Sequence, residues 1–336
     1  MLKRIASYLM LLSMVAVLLV ACSDDEDKLV VYTPAGEEMI DVVIPAFEEE
    51  TGIDVELITA GTGELLNRID GESDDPYADV MWGGSPSLIR PMEENFEDYV
   101  SENDEHLPDA FKNTEGYMTR FSTTTSVILV NTDLIGDIEV NGYEDLLNPE
   151  LKGKIAHGDA TASSSSFNHL ENMLFAMGKD NDPFSDEAWD YVEKFLENLD
   201  GKIASSSGNV HKGVADGEYT VGLTYETPAL DYLKDGAPVE VVYMEEGLIF
   251  KDAGSYIVKG ATNRENAELF NDFLLSKEIQ DALGVETSSR PLREDAELAE
   301  GKTPLSELTI IDYDDSWGDE NADEVIDIYM DILTKD

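Results

Sequence analysis

The chain has 336 residues, with 73 acidic side chains against 22 basic ones and a formal net charge of −51. A surface of that sign repels nucleic acid and anionic lipid, which excludes both as partners, and it suits a salty or alkaline exterior. A single cysteine excludes an internal disulfide, so stability comes from the core, and a chain this long outgrows one core and is expected to form two lobes.

Lys3 and Arg4 precede an apolar run from Ile5 to Val20, shorter than the ~20 residues of a membrane span, in the arrangement of a secretory signal. The run closes on Leu19-Val20-Ala21-Cys22, which resembles the lipobox of bacterial lipoproteins. That resemblance implies removal of residues 1–21 and lipidation of Cys22. Ser23 to Lys28 is charged and has no apolar content, so 22–28 reads as a solvated tether.

Leu29 to Tyr32 is a short apolar run ended by Thr33-Pro34-Ala35-Gly36, the pattern of a buried strand entering a turn. Met39, Val43 and Phe47 recur every four residues as a helical face, with Pro45 placed to kink it, and Thr51-Gly52 stops it. Asp54 to Ile58 alternates as a second strand, which completes a βαβ unit with a parallel pair. Gly61-Thr62-Gly63 opens a helix over Glu64 to Ile69, and Ala78 to Trp82 is a strand ending in Gly83-Gly84-Ser85-Pro86. The long β-rich stretch from Thr123 to Asn131 predicts a strand crossing between lobes, with Gly254 to Val258 as the return crossing. Between them, helices are expected over Phe167–Met177 and Trp189–Leu199, and strands over 202–204, 219–224 and 239–243. A helix through Ala267, Phe270, Phe273 and Leu274 ends near Gly284, and the acidic tail closes with a helix over Val325–Leu333. The expected division is 29–125 plus 253–336 for lobe 1 and 126–252 for lobe 2, with hinges near 123–127 and 250–254.

Three hydroxyl-rich turns precede expected helices at the carboxyl ends of strands, where open α/β sheets bind ligands. They are Gly61-Thr62-Gly63, Thr161 through Ser163, Ser164, Ser165 and Ser166, and Ser205-Ser206-Ser207-Gly208. Helix starts offer unpaired N–H groups and a positive dipole end, which suit phosphate, phosphonate, carboxylate or carbonate. Ordinary N-capping also accounts for any one of them. Trp82 with Gly83, and Tyr225 with Glu226, sit at strand ends, where the aromatics either line a cleft or anchor a core. Asp79 reads as a structural hydrogen-bonding group, His211 as a donor to an anion, and Lys212 as part of a solvated face. Zinc-protease, paired-cysteine, nucleophile-elbow and phosphate-loop motifs are all missing, and the four histidines lack ligand spacing, which points away from an enzyme. Asp312-x-Asp314-x-Ser316 begins like a calcium loop, but Trp317 stands where the turn needs glycine.

Leu29 to Ile58, Gly61 to Arg68, Ala78 to Gly84, Gly153 to Ala156 and Lys212 to Tyr219 together resemble the extracellular solute-binding proteins of ATP-driven importers, most closely the ferric-iron-type branch. The resemblance implies an α/β, two-lobe, type II periplasmic-binding-protein-like fold whose lobes close on a ligand between them. It also implies a membrane permease as partner, a monomer lipid-anchored on the outer face of the cell membrane, and no cofactor. Iron-binding members carry adjacent tyrosines where this chain has Tyr225 and Glu226, and here the early turn lacks histidine. With the serine turns, that favours a phosphorylated sugar or phosphonate held by Thr62, Gly63, Trp82, Gly83, Ser163, Ser164, Ser165, Ser206, Ser207, His211, Tyr225 and Glu226. The alternative is ferric ion with a synergistic anion on Tyr225 and Glu226. A secreted hydrolase is a distant third.

Overall fold

A computed structural model of the chain describes residues 28–334 apart from 85, 205 and 315. The expected leader, Cys22 and all of the tether except Lys28 lie outside the described residues. Strand β1 (Lys28–Thr33), helix α1 (Glu37–Thr51) and strand β2 (Asp54–Thr59) form the expected βαβ unit, the strands running parallel from Lys28↔Asp54 to Thr33↔Thr59. α1 buries Val43, Ile44 and Phe47 and continues through Pro45 as one element. Gly52 ends it at φ 73°, a left-handed conformation that costs glycine nothing, and its N–H satisfies the Glu48 carbonyl. Helix α2 (Thr62–Gly71) leads back to β3 (Val80–Trp82), parallel to β1 on its other side. The short helix α3 (Pro86–Ile89) and the two-residue strand β4 (Phe96–Glu97) follow.

Strand β5 (Thr119–Asn131) is the expected crossing strand, longer than the sequence pattern indicates. The middle of the chain then supplies β6 (Ile155–Gly158), α4 (Ser164–Met177), α5 (Asp186–Leu199), β7 (Ile203–Ala204), α6 (Ser207–Ala215), β8 (Val221–Tyr225), α7 (Glu226–Lys234) and β9 (Val239–Val242). The chain returns through β10 (Phe250–Val258). β5 joins the two halves: its first part pairs antiparallel with β10, from Thr119↔Ser255 to Thr125↔Phe250, and its second with β8, from Ser126↔Tyr225 to Val130↔Val221. The strand order is β2-β1-β3-β10-β5-β8-β6-β7. Leu29, Val31, Phe47, Trp82 and Phe270 pack together in the first half, whereas Val127, Leu129, Ala156, Val210 and Val214 form a core in the second.

Two expectations about the carboxyl-terminal part are corrected. The helix expected to run to Gly284 is two, α8 (Arg264–Leu274) and α9 (Lys277–Glu286), because the Ser276 hydroxyl caps a new start by accepting the Ile279 N–H. After β11 (Arg290–Pro291), which pairs with β5, the last helix α10 (Ser316–Leu333) begins well before Val325. The residues leading into it do not stay with the first half of the sheet. Ile310 bridges to Leu248, and Tyr313 and Trp317 pack on Phe175 of α4 with ring centroids 5.3 and 4.9 Å away. Aromatic surface on α4 thus draws this segment to the 126–252 half. Among the described residues, no helix is long and apolar enough to cross a membrane.

Candidate functional site

Where β5 passes from one half of the sheet to the other, Thr124, Thr125 and Ser126 floor a cavity of about 430 Å³, within the range of small-solute sites. Ser163, Ser164 and Ser165 enter it from the start of α4, Ser206 and Ser207 from the start of α6, and Tyr225 from the end of β8. Ala162, Asn168, Ile249 and Lys251 complete its lining. A second cavity of about 760 Å³ adjoins it, sharing Thr124, Ser163, Ser164, Asn168 and Lys251 and reaching Pro86, Phe167, Glu171 and Gly318.

Each serine turn spends one hydroxyl on an ordinary cap. Ser163 Oγ accepts the Ser166 N–H at 3.4 Å, and Ser206 Oγ accepts the Asn209 N–H at 3.3 Å. The remainder is what capping does not explain. Ser165 Oγ and Thr124 Oγ1 are buried against the cavity with no hydrogen-bond partner among the described residues. Buried hydroxyls are normally satisfied, so a group that completes them gains free energy on arrival. Thr125, by contrast, is satisfied, its hydroxyl donating to the Ile249 carbonyl at 2.8 Å. Two helices of 14 and 9 residues thus begin at the same cavity, an arrangement suited to an anion.

Other expected site residues lie elsewhere. Trp82 is not a stacking face: it is fully buried, its ring 5.7 Å from Phe270 and 6.0 Å from Phe121, because β3 is central to the first half and both of its faces are covered. Gly83 is also buried, at φ 91° with its N–H on the Gly254 carbonyl at 2.8 Å. Thr62 and Gly63 open α2 as expected but line neither cavity. Thr62 instead touches the glycine turn, where a Cβ on Gly84 would come within 2.9 Å of its methyl carbon.

Glu226 is a second correction. Its carboxylate is 1% exposed and turns away from the cavity to Arg290, whose Nε donates at 3.0 and 3.1 Å, while the Tyr243 hydroxyl donates at 2.5 Å. A buried carboxylate needs such compensation, so in this arrangement Glu226 turns to Arg290 while its neighbour Tyr225 lines the cavity. His211 stands behind Tyr225, ring centroids 6.5 Å apart, with Nδ1 3.2 Å from Thr224 Oγ1, and does not line the cavity. Burial holds its imidazole below the ordinary value.

Asp79 is structural, as expected: its carboxylate accepts the N–H groups of Val30 at 2.9 Å and Asn263 at 2.8 Å. Lys212 pairs with Asp216 on an exposed helix face. Among the described residues no cluster of His, Cys, Asp and Glu is arranged to hold a metal ion. Sequence reasoning missed Thr124, Thr125, Ser126, Asn168, Ile249 and Lys251. The hydroxyl run at 123–126 inside an expected crossing strand was the available signal for the first three.

The family model described as bacterial extracellular solute-binding protein matches residues 29–284. The probable ABC transporter periplasmic-binding protein y4fP of Sinorhizobium fredii is 27% identical over 275 residues, covering 80% of this chain and 75% of its own. Iron uptake protein A1 of Synechocystis is 28% identical over 288 residues, 78% of each chain. Among solved structures, the periplasmic binding protein AfuA from Actinobacillus pleuropneumoniae, with exogenous fructose-6-phosphate bound, superposes with a TM-score of 0.67 at 26% identity over 92% of this chain and 99% of its own.

Proposed function

Because this chain belongs to the bacterial extracellular solute-binding proteins, as the substrate-binding component of an ABC transporter of the iron or sugar-phosphate type, we propose that it captures a small solute bearing a phosphate or phosphonate group. The observation that carries the reading is the convergence of two serine-rich helix starts, with Ser165 Oγ and Thr124 Oγ1 unpartnered among the described residues, on one cavity beside Lys251. A phosphoryl group offers several acceptor oxygens to helix N–H groups and hydroxyls at short range. The protein's negative charge opposes it only weakly there, because exposed carboxylates beyond ~8 Å are screened at physiological salt. Tyr225, 36% exposed, faces the organic portion.

Closure by a hinge at 123–127 and 250–254 would bring Thr62, Gly63 and the Gly83 turn toward the ligand from the first half. The family binds solutes outside the cell; we further propose that lipid on Cys22 holds this member at the membrane face as a monomer, delivering to its permease. Changing Cys22 to Ser should then release the protein from membranes, and unchanged retention would refute the anchor.

A thermal-shift panel of phosphorylated sugars, phosphonates, ferric salts with carbonate, and polyamines tests the ligand class, since a ligand raises the unfolding midpoint as its concentration rises. Stabilisation by ferric ion alone, with every organophosphate silent, would replace this reading by the iron one, in which Tyr225 serves without Glu226.

A further inference from the structure

Lys251 carries the only positive charge among the described residues lining the two cavities, and it lines both. Its Nζ donates to the Tyr313 hydroxyl at 2.9 Å and sits 4.1 Å from that ring's centroid. It also lies 3.1 Å from Glu171 Oε2, an ion pair that lacks hydrogen-bond alignment, since this oxygen has no hydrogen-bond donor among the described residues. An ammonium group has three N–H donors. One is committed to Tyr313, and the side chain remains 27% exposed at the cavity.

The support on the other side is fully engaged. Tyr313 donates to Glu171 Oε1 at 2.7 Å and accepts the Gly318 N–H at 3.1 Å, and Glu171 is 1% exposed. Gly318 must be glycine for this approach, because a Cβ there would collide with Glu171 Oε1. Arg90 donates to Asp314 at 3.1 Å and ties the same segment to the first half. Tyr313 and Gly318 lie beyond the 29–284 span of the family match, so part of this wall comes from outside the shared core.

We infer that Lys251 is a specificity-determining residue of the cleft, selecting solutes with an anionic group over neutral analogues of the same shape, and that Tyr313 is its positioning residue. The inference rests on the phosphoryl reading above and names the side chain that reads the charge. Glu171 and Tyr313 keep the ammonium group at the junction of the two cavities, within reach of Thr124 and the α4 start. The ammonium group's remaining N–H donors favour an anion at short range, with Glu171 offsetting part of its charge.

The test is calorimetric titration of the full chain with fructose 6-phosphate and with fructose, on the parent, Lys251→Met, Lys251→Arg, Tyr313→Phe and the double variant Lys251→Met/Glu171→Gln. The double variant leaves no orphaned buried carboxylate, so it stays folded if the single one does not. The parent's preference for the phosphate ester should fall by about tenfold or more in both Met variants, as loss of a charged hydrogen bond implies. It should survive in Lys251→Arg and fall by less in Tyr313→Phe, a ratio that a merely structural role would leave alone. A folded double variant that keeps the parent's preference overturns the inference and leaves the phosphoryl reading standing. If the parent binds ferric ion with carbonate instead, the reading falls; Lys251 is then upheld by a loss of carbonate-dependent affinity in Lys251→Met and overturned by its persistence. A parent that binds polyamines overturns both.

Discussion

The molecule holds two charged clusters of similar composition in different settings. Arg290, Glu226 and Tyr243 are sealed, the arginine side chain 0% and the glutamate 1% exposed, and they hydrogen-bond to one another. Lys251, Glu171 and Tyr313 put the same kinds of group at the wall of the cleft, with the glutamate equally buried but the cation partly open. The first joins α7 to β11, segments from either side of β5, and reads as a structural clamp. The second leaves donors facing a cavity. Exposure of the cation, and not the identity of the residues, separates a fastening from a contact.

Breaking the sealed cluster should have the largest effect. Arg290→Met strands the Glu226 carboxylate in a dry site, and about 3–5 kcal/mol of stability should disappear; urea denaturation at pH 7 reads it. Adding Glu226→Gln should return much of that loss, and no recovery would mean the arginine acts by packing alone. On the cleft side, replacing Ser164 and Ser165 with leucine should weaken a phosphorylated solute by about 100-fold, two charged hydrogen bonds' worth, while the unfolding midpoint holds. Equal affinity in that variant would show that the α4 start is only a capped helix.

Two sealed histidines resist protonation. Burial pushes His157 to about 3 and His169 to about 4, well below the ordinary value near 6.5. Unfolding lets both take up protons that the native state refuses. Their contribution to stability is therefore present above about pH 6.5 and is lost as pH falls toward those lowered values, at about 1.4 kcal/mol per pH unit for each. His157→Phe, in a site where the ring already packs 5.4 Å from Phe195 and Nδ1 has no partner among the described residues, should flatten the acid limb of the stability profile by one such share. An unaltered limb would mean that His157 is not held neutral. The smallest effect belongs to Lys212→Met, whose exposed pairing with Asp216 is screened by water; neither stability nor affinity should change measurably.

Much of this architecture was legible from residue order. The βαβ opening, the crossing strand at 123–131 and the helices over 167–177 and 189–199 follow from apolar period and turn residues, and the serine turns stood out as candidate anion sites. Directions were harder to read. Tyr225 and Glu226 are neighbours across a strand-to-helix junction, and nothing in their order says that one opens to the cleft while the other is drawn to Arg290, far along the chain. Trp82 looked like a strand-end aromatic until β10 covered its strand from the other side. A lone lysine in a β-strand carries no mark of function, so Lys251 emerged only when α4 and Tyr313 closed around it.

By itself the sequence determined which segments are helix and strand, that they alternate in two α/β runs, and which helix starts are rich in hydroxyls, because these are local properties of backbone preference and apolar spacing. Which buried charges compensate each other, which aromatic is core, and where the acidic tail docks were decided only in the tertiary structure. Those outcomes depend on desolvation and on partners far apart in the chain, as when Arg120 donates to Asp252 across 132 positions, and no local pattern records such partners.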